Sequence, residues 1–261
     1  MLYCVFFIIC FTASVIGAIC GIGGGVIIKP VLDAFGVLDV SAVSFLSGCT
    51  VLSMSTYSVI KGKLSNESNI DSKTSLPLGV GAAIGGVIGK ILFEITASMT
   101  PDRNQVGAVQ AICLIAVTLG TLTYTIYKNK IKTYQLTNLF VCLTIGFILG
   151  LISSFLGIGG GPMNLVVLFF FFSMSTKVAA ENSLYIIFYS QIASLLQSIV
   201  TGRVPVFQIG ILILMVIGGI LGGFCGRKCN EKIKDEAVDK LFMALMVVII
   251  FVNIYNIYKF I

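Results

Sequence analysis

Two glycine clusters carry the clearest chemical signal in this sequence. Gly21-Ile22-Gly23-Gly24-Gly25 recurs as Gly157-Ile158-Gly159-Gly160-Gly161, 136 residues later. Consecutive glycines hold a regular helix poorly, because each costs about 1 kcal/mol relative to alanine. A helix that stops and restarts there exposes unpaired N–H groups at the start of its second part. Those groups, with the helix dipole, favour an anion. The missing side chains also let a ligand approach the backbone closely. Gly21, Gly23, Gly24, Gly25, Gly157, Gly159, Gly160 and Gly161 are therefore the candidate anion-binding residues. Each cluster is followed by an apolar piece too short to span a bilayer, and Pro162 suits the first turn of a new half-helix. The competing reading is that the glycines only permit tight helix packing.

Polar groups near these clusters add candidates. Lys29 brings a positive charge close to the first cluster, or it only snorkels to headgroups. Asn164 follows the second cluster; it and the later Gln191 and Gln197 either line a path or bridge helices. A charge at membrane depth costs roughly 2.5–3.5 kcal/mol on insertion scales and is a functional hypothesis by default. Glu181, beside Asn182 and Ser183, is the first candidate for coupling to a proton or a cation. The plainer alternative pairs Glu181 with Lys177 one turn away. Lys90 and Arg227 close two apolar runs, where topology anchoring is a simpler role than substrate contact; Glu94 lies one turn after Lys90.

Other chemistries are excluded by residue type. There is no histidine, which removes Ser-His-Asp and Cys-His sites, His-containing zinc sites and imidazole relays. Gly21–Val26 lacks the third glycine of G-x-G-x-x-G, and Gly85–Lys90 lacks the spacing and the Ser/Thr of a P-loop. No cofactor, metal or nucleic acid is expected, and the chain reads as a non-enzyme. The eight cysteines stand mostly singly in apolar runs and read as small hydrophobes.

The elements that position these residues follow from composition. Of 261 residues, 57% are hydrophobic and 11% charged, and the mean hydropathy is +1.05. A soluble domain carries about 25% charged residues. Eight spans of roughly 20 residues fit the length, with no room for a second soluble domain. The apolar runs place them at about 2–19, 40–60, 76–93, 105–127, 136–156, 178–200, 206–226 and 241–258. Residues 61–75 and 227–240 read as polar loops. No run alternates as membrane barrel strands do, so the expected fold is an all-α, multi-pass integral membrane protein. The net charge of +6 is spread through short loops and suits anionic headgroups. With eight spans taken at face value, Lys and Arg nearly tie across the two sides, which leaves orientation open.

The chain also repeats itself. Gly81, Gly85 and Gly89 followed by Lys90 recur as Gly218, Gly222 and Gly226 followed by Arg227, 137 residues later. Gly62-Lys63 is echoed by Gly202-Arg203. Three landmarks in one order at nearly one offset predict two related four-span halves, 1–127 and 135–261, joined by a basic linker at 128–134. The glycine ladders put small residues on one helix face, which favours close helix approach. Tandem halves are a common transporter construction with substrate at their interface. Four spans per half make the repeats parallel; if each glycine cluster reverses the chain, they become inverted.

These landmarks together resemble the TauE/SafE family of sulfite and organosulfonate exporters. The resemblance rests on Gly21, Gly23, Gly24, Gly25 and Pro30, on Gly157, Gly159, Gly160, Gly161 and Pro162, and on the ladders, and it covers essentially the whole chain. It implies a permease for small sulfur-containing anions such as sulfite or sulfonates. The expectation is secondary transport of a small anion across the bilayer, most simply the cell membrane, by alternating access, with proton or cation coupling. A passive anion channel and a structural membrane subunit are the alternatives. An organellar membrane and a homo-oligomer are left open.

Overall fold

In the computed structural model the described residues are 2–64, 72–99 and 103–260. They form α1 (Leu2–Cys20), α2 (Gly25–Phe35), α3 (Val40–Leu64), α4 (Ser72–Met99), α5 (Arg103–Tyr127), α6 (Leu139–Leu156), α7 (Pro162–Phe172), α8 (Thr176–Val200), α9 (Ile209–Lys232) and α10 (Asp235–Phe260), with a 3-10 turn at Lys128–Lys130. Eight helices are long and apolar enough to cross a membrane; α2 and α7, with 11 residues each, are not. The order long, short, long, long, long occurs twice.

The helices overrun several expected limits. Residues 61–64 extend α3 and 72–75 begin α4, while 65–71 lie outside the described residues. Arg227–Lys232 continue α9 and Asp235–Lys240 open α10, so little of the expected charged loop remains. Hydropathy marks only the part of a helix that sits in hydrocarbon. Its charged ends continue into the headgroup layer, where long side chains reach water. α6, by contrast, starts three residues later than expected, at Leu139, because Asn138 caps it by accepting from the N–H groups of Phe140 and Val141.

The glycine ladders fix which helices touch and in which direction. Methyl groups on Gly81, Gly85 and Gly89 of α4 would overlap backbone of Leu143, Phe147 and Leu151 in turn, so α4 and α6 run parallel. The ladder of α9 lies along α1, with Gly218 at Cys10, Gly222 at Ser14 and Gly226 at Val15; added methyl groups would overlap at Gly222 and Gly226 and sit 3.3 Å from α1 at Gly218. Gly219 and Gly223 of α9 face Thr50 and Met54 of α3, again parallel. Gly48 of α3 faces Leu195 of α8, while Val51 and Ile187 share one apolar cluster, so α3 and α8 are antiparallel. Gly107 of α5 meets Phe260, and Lys128 pairs with Asp239, which sets α5 against α10. Each contact joins an element of the first half to one of the second.

Between α1 and α3, α2 reverses the chain. Ile28 and Leu32 pack back along Phe6 and Cys10, and the C-terminal end of α2 lies beside that of α10, where Lys259 donates to the carbonyl of Ala34 at 2.9 Å. α3 therefore starts at the same end of the molecule as α1. Likewise α7 returns toward the start of α6, where Phe170 accepts from Tyr134 N at 2.8 Å. Hence α1, α3, α5 and α9 run one way, and α4, α6, α8 and α10 the other. In chain order, α1 is thus antiparallel to α6, α3 to α8, α4 to α9 and α5 to α10.

This reversal redistributes the charges. The end at which α1 finishes holds positions Lys61, Lys63, Lys73, Lys128, Lys130, Lys132, Lys177, Arg227, Lys228, Lys232, Lys234 and Lys240; the other holds Lys90, Arg103, Arg203 and Lys259. Twelve positions stand against four, with Lys29 buried between the ends. The near tie counted for eight simple spans arises from ignoring α2 and α7.

Close helix approach gives a direct prediction. Gly85→Val places a Cβ in overlap with the Phe147 carbonyl oxygen, with two further methyl groups to accommodate. Overpacking of this kind typically costs about 1–3 kcal/mol, so the thermal unfolding midpoint in detergent is expected to fall by several degrees.

Candidate functional site

Both glycine clusters start as helix stops. Gly21 and Gly157 have φ of 72° and 67°, the left-handed conformation glycine adopts without a side-chain penalty. The following N–H groups close matching bonds five residues back, Ile22 to Gly17 O at 3.1 Å and Ile158 to Ser153 O at 3.3 Å. Helix then resumes at Gly25 and at Pro162.

The restarts face one another. A methyl group on Gly25 would overlap the carbonyl of Ile158 inside the other cluster. Val51 touches the Cβ positions of Gly23, Gly25 and Gly159, and Ile187 those of Gly23 and Gly160. Val51 and Ile187 each stand midway along a 25-residue helix, α3 and α8 respectively. From this level α2 and α7 run toward opposite ends of the molecule, so their positive N-terminal ends converge on its centre.

Around the clusters lie buried polar groups. Ser44 Oγ is 2.5 Å and Lys29 Cε 3.2 Å from the Cβ position of Gly157, and Gln191 Cδ is 3.1 Å from that of Gly159. Ser14 Oγ is 3.2 Å from that of Gly24. The hydroxyls of Ser14 and Ser44 and the Oδ1 of Asn164 have no hydrogen-bond partner among the described residues. Buried polar atoms are normally paired, so unpaired ones beside converging helix starts leave bonding capacity for a polar ligand. The glycines are closely packed at the same time, and the clusters join the two halves as well as exposing backbone.

Lys29 is buried and paired. Its Nζ lies 2.7 Å from Asp33 Oδ2, one turn on along α2, with side-chain exposures of 4% and 6%. Reading single residues misses Asp33. The available signal was a Lys and an Asp four apart within an apolar piece. Glu181 and Asn182 stand apart from this centre. Asn182 is fully buried, donates to Val178 O at 2.7 Å and accepts from Ser75, which ties α8 to α4. Glu181 lines a small space of about 30 Å³ with Ser58, Arg227, Asn230 and Glu231.

That space has a larger counterpart at the other end. A cleft of about 430 Å³ is lined by Asp39, Ser41, Lys90, Glu94, Ala97 and Arg203, among others. In it Arg203 Nη1 lies 3.1 Å from Glu94 Oε2. At the small space Arg227, which like Lys90 directly follows a glycine ladder, donates to Ser58 O at 2.8 Å and lies 3.4 Å from Glu231. Asn230 also donates there, to Ile19 O at 2.5 Å. The space beside Glu181 is thus bolted by side chains, while a separate cleft of about 260 Å³ at the same end is lined by Tyr124, Lys128, Thr133, Thr176 and Asp235, among others. Among the described residues no three of His, Cys, Asp and Glu converge as a metal site would require.

Eight membrane-crossing helices, with two half-helices that begin at glycine turns in the interior, define a multi-pass integral membrane protein. Comparison with known sequences makes the class specific: residues 6–252 match the sulfite exporter TauE/SafE family model. The chain belongs to this family and is a membrane transporter. A curated relative, the probable membrane transporter protein YunE of Bacillus subtilis (strain 168), is 25% identical over 219 residues, covering 74% of this chain and 76% of that protein. No solved structure gives a significant match.

Proposed function

We propose that this protein is a secondary transporter of the cell membrane that exports a small anion, sulfite or an organosulfonate, by alternating access between residues 1–127 and 135–261. The anion is held by backbone N–H groups of Gly21, Gly23, Gly24 and Gly25 and of Gly159, Gly160 and Gly161, assisted by Lys29 and Asn164; the N–H of Gly157, expected from sequence to join them, instead caps α6 on the carbonyls of Ser153 and Ser154. The carrying observation is the head-to-head start of α2 and α7 at the midpoint of α3 and α8. Half-helix N-termini aimed at a bound anionic group are a known device of transporters built from inverted repeats.

Two further observations support this reading. The space beside Lys90 and Arg203 holds about 430 Å³ and the one beside Arg227 and Glu181 about 30 Å³, an asymmetry between these two positions that suits one-sided access; a separate cleft of about 260 Å³ lies at Lys128 and Asp235. The twelve-to-four charge bias assigns the lysine-rich end to the cytoplasm under the positive-inside rule, so the wide cleft faces outward. Coupling to a proton or cation belongs to the same reading, with Glu181 and Asn182 as candidates at the cytoplasmic end.

The test is flux in proteoliposomes of the purified protein. Sulfite, sulfoacetate, sulfate and chloride are compared with and without a pH gradient. Saturable movement of sulfite or sulfoacetate in preference to chloride is the expected result. Indifference among all four anions would favour a channel, and absence of movement in folded protein would remove the transport reading.

A further inference from the structure

Resting on the anion-transport reading, we propose that Asp33 is the proton-coupling carboxylate: its protonation releases Lys29 to hold the anion at the Gly157 cluster, so anion and proton cross together. The inference starts from position. Lys29 is the one described cation that touches both partners such a switch needs. Its Nζ is 2.7 Å from Asp33 Oδ2, and its Cε is 3.2 Å from the Cβ position of Gly157. A rotation of the lysine end chooses between them.

The second observation is an unsatisfied carboxylate. Asp33 is 6% exposed, and its Oδ1 has no hydrogen-bond partner among the described residues. An ionised carboxylate accepts at both oxygens, whereas a protonated one needs less. The carboxyl is thus incompletely held as an anion, by one cation that is also needed elsewhere. A space of about 10 Å³ beside it is lined by Lys29, Asp33, Gln110 and Asn253, near the minimum that admits a water as a proton carrier.

The surroundings leave little else to titrate. From α10, Lys259 faces the C-terminal turn of α2, donating to the carbonyls of Ala34 at 2.9 Å and Asp33 at 3.5 Å, and Asn256 donates to Pro30 O at 2.8 Å. From α5 the facing polar group is Gln110, whose Nε2 donates to Phe155 O at 2.6 Å. From α4, Lys90 lies within electrostatic range of Lys29. The parts of α1 and α3 packed on Ile28 and Leu32 are apolar apart from the buried thiol of Cys10. With Asp33 ionised, Lys29 is neutralised inside the protein and the anion meets a weak site. With Asp33 protonated, the charge of Lys29 falls to the anion. Each ligand favours the other, which is the condition for symport; a divalent anion crossing with one proton still carries one negative charge, so an inside-negative membrane potential drives the pair outward. The proton taken up by the Asp33 carboxyl on one side is returned to water on the other when Lys29 swings back.

The experiment uses the whole protein in potassium-clamped proteoliposomes, with sulfite and sulfoacetate as probes and protein-free vesicles as the control for sulfite's own protonation. Two quantities are read, anion exchange at equal pH and accumulation driven by a pH gradient. Wild type is expected to do both, accumulating up to about tenfold per pH unit for one proton per anion. Asp33→Asn is expected to keep exchange and lose accumulation. Asp33→Glu is expected to retain both, with accumulation displaced in pH, and the control Gly120→Ala, whose added methyl meets nothing within 4 Å, is expected to retain both. Accumulation by Asp33→Asn at the wild-type level, or loss of exchange along with accumulation, would overturn the assignment. So would a wild type that exchanges without accumulating. A folded wild type that exchanges neither anion would instead overturn the transport reading and the coupling inference with it.

Discussion

Gly25→Ala is expected to lower sulfite flux at least tenfold and to destabilise the protein in detergent, although it adds a single methyl group. That methyl would overlap the carbonyl of Ile158, and Val51 Cγ2 would lie 2.9 Å away. The first obstacle is backbone of the opposite cluster and cannot rotate aside. The clusters must separate, and with them the facing starts of α2 and α7. Overpacking costs about 1–3 kcal/mol in stability, and a similar loss in binding the transported anion is about tenfold or more in rate. Gly120→Ala on α5 is the control, because nothing lies within 4 Å of its Cβ position. It is expected to leave flux and unfolding unchanged within error. If Gly25→Ala transports as the control does, the meeting of the clusters has no part in transport.

Lys29→Met is expected to be the most damaging single change at the centre of α2. It leaves the Asp33 carboxylate, 6% exposed, without the ammonium 2.7 Å away. Removing one partner of a buried ion pair costs about 3–5 kcal/mol, whereas replacing both by apolar groups is often near neutral. The double variant Lys29→Met/Asp33→Leu is therefore expected to recover most of the lost stability in thermal or denaturant unfolding. Flux is expected to stay lost in both, because the anion site has lost its cation. Recovery of flux in the double variant would reduce the pair to a structural element.

How much of this was legible from sequence differs by feature. The number and type of spans follow from desolvation alone, and long apolar runs such as 209–226 report it directly. The glycine stops were visible because glycine is costly in mid-helix, and the structure ends α1 at Cys20 and α6 at Leu156 beside them. Chain direction was not legible. Hydropathy registers burial and not sense, so an 11-residue piece such as α2 reads as an appendage when it is the element that reverses the chain. The charge count failed for that reason, although every lysine in it was correctly identified. At the site, Lys29 stood out as a charge in an apolar piece. Asp33 did not, because its importance lies in a one-turn pairing and in a burial that only packing creates. Asn182 was placed beside Glu181 by adjacency, yet one residue along a helix turns the side chain by about 100°. The structure sends Asn182 toward Ser75 on α4 and Glu181 toward Arg227.

The central claim is that the anion moves by exchanging access between two ends of one molecule. Site-directed thiol labelling tests it most directly. In a background with the eight native cysteines replaced, Ala97→Cys reports the wide cleft and Leu184→Cys the small space beside Glu181. A charged, membrane-impermeant thiol reagent is added from either side of oriented vesicles, with and without sulfite. Without sulfite, Ala97→Cys is predicted to label from outside while Leu184→Cys is protected. With sulfite supplied on the lysine-rich side, labelling at Leu184→Cys is predicted to rise as labelling at Ala97→Cys falls. Simultaneous full labelling at both positions, or labelling that ignores the anion, would contradict alternating access.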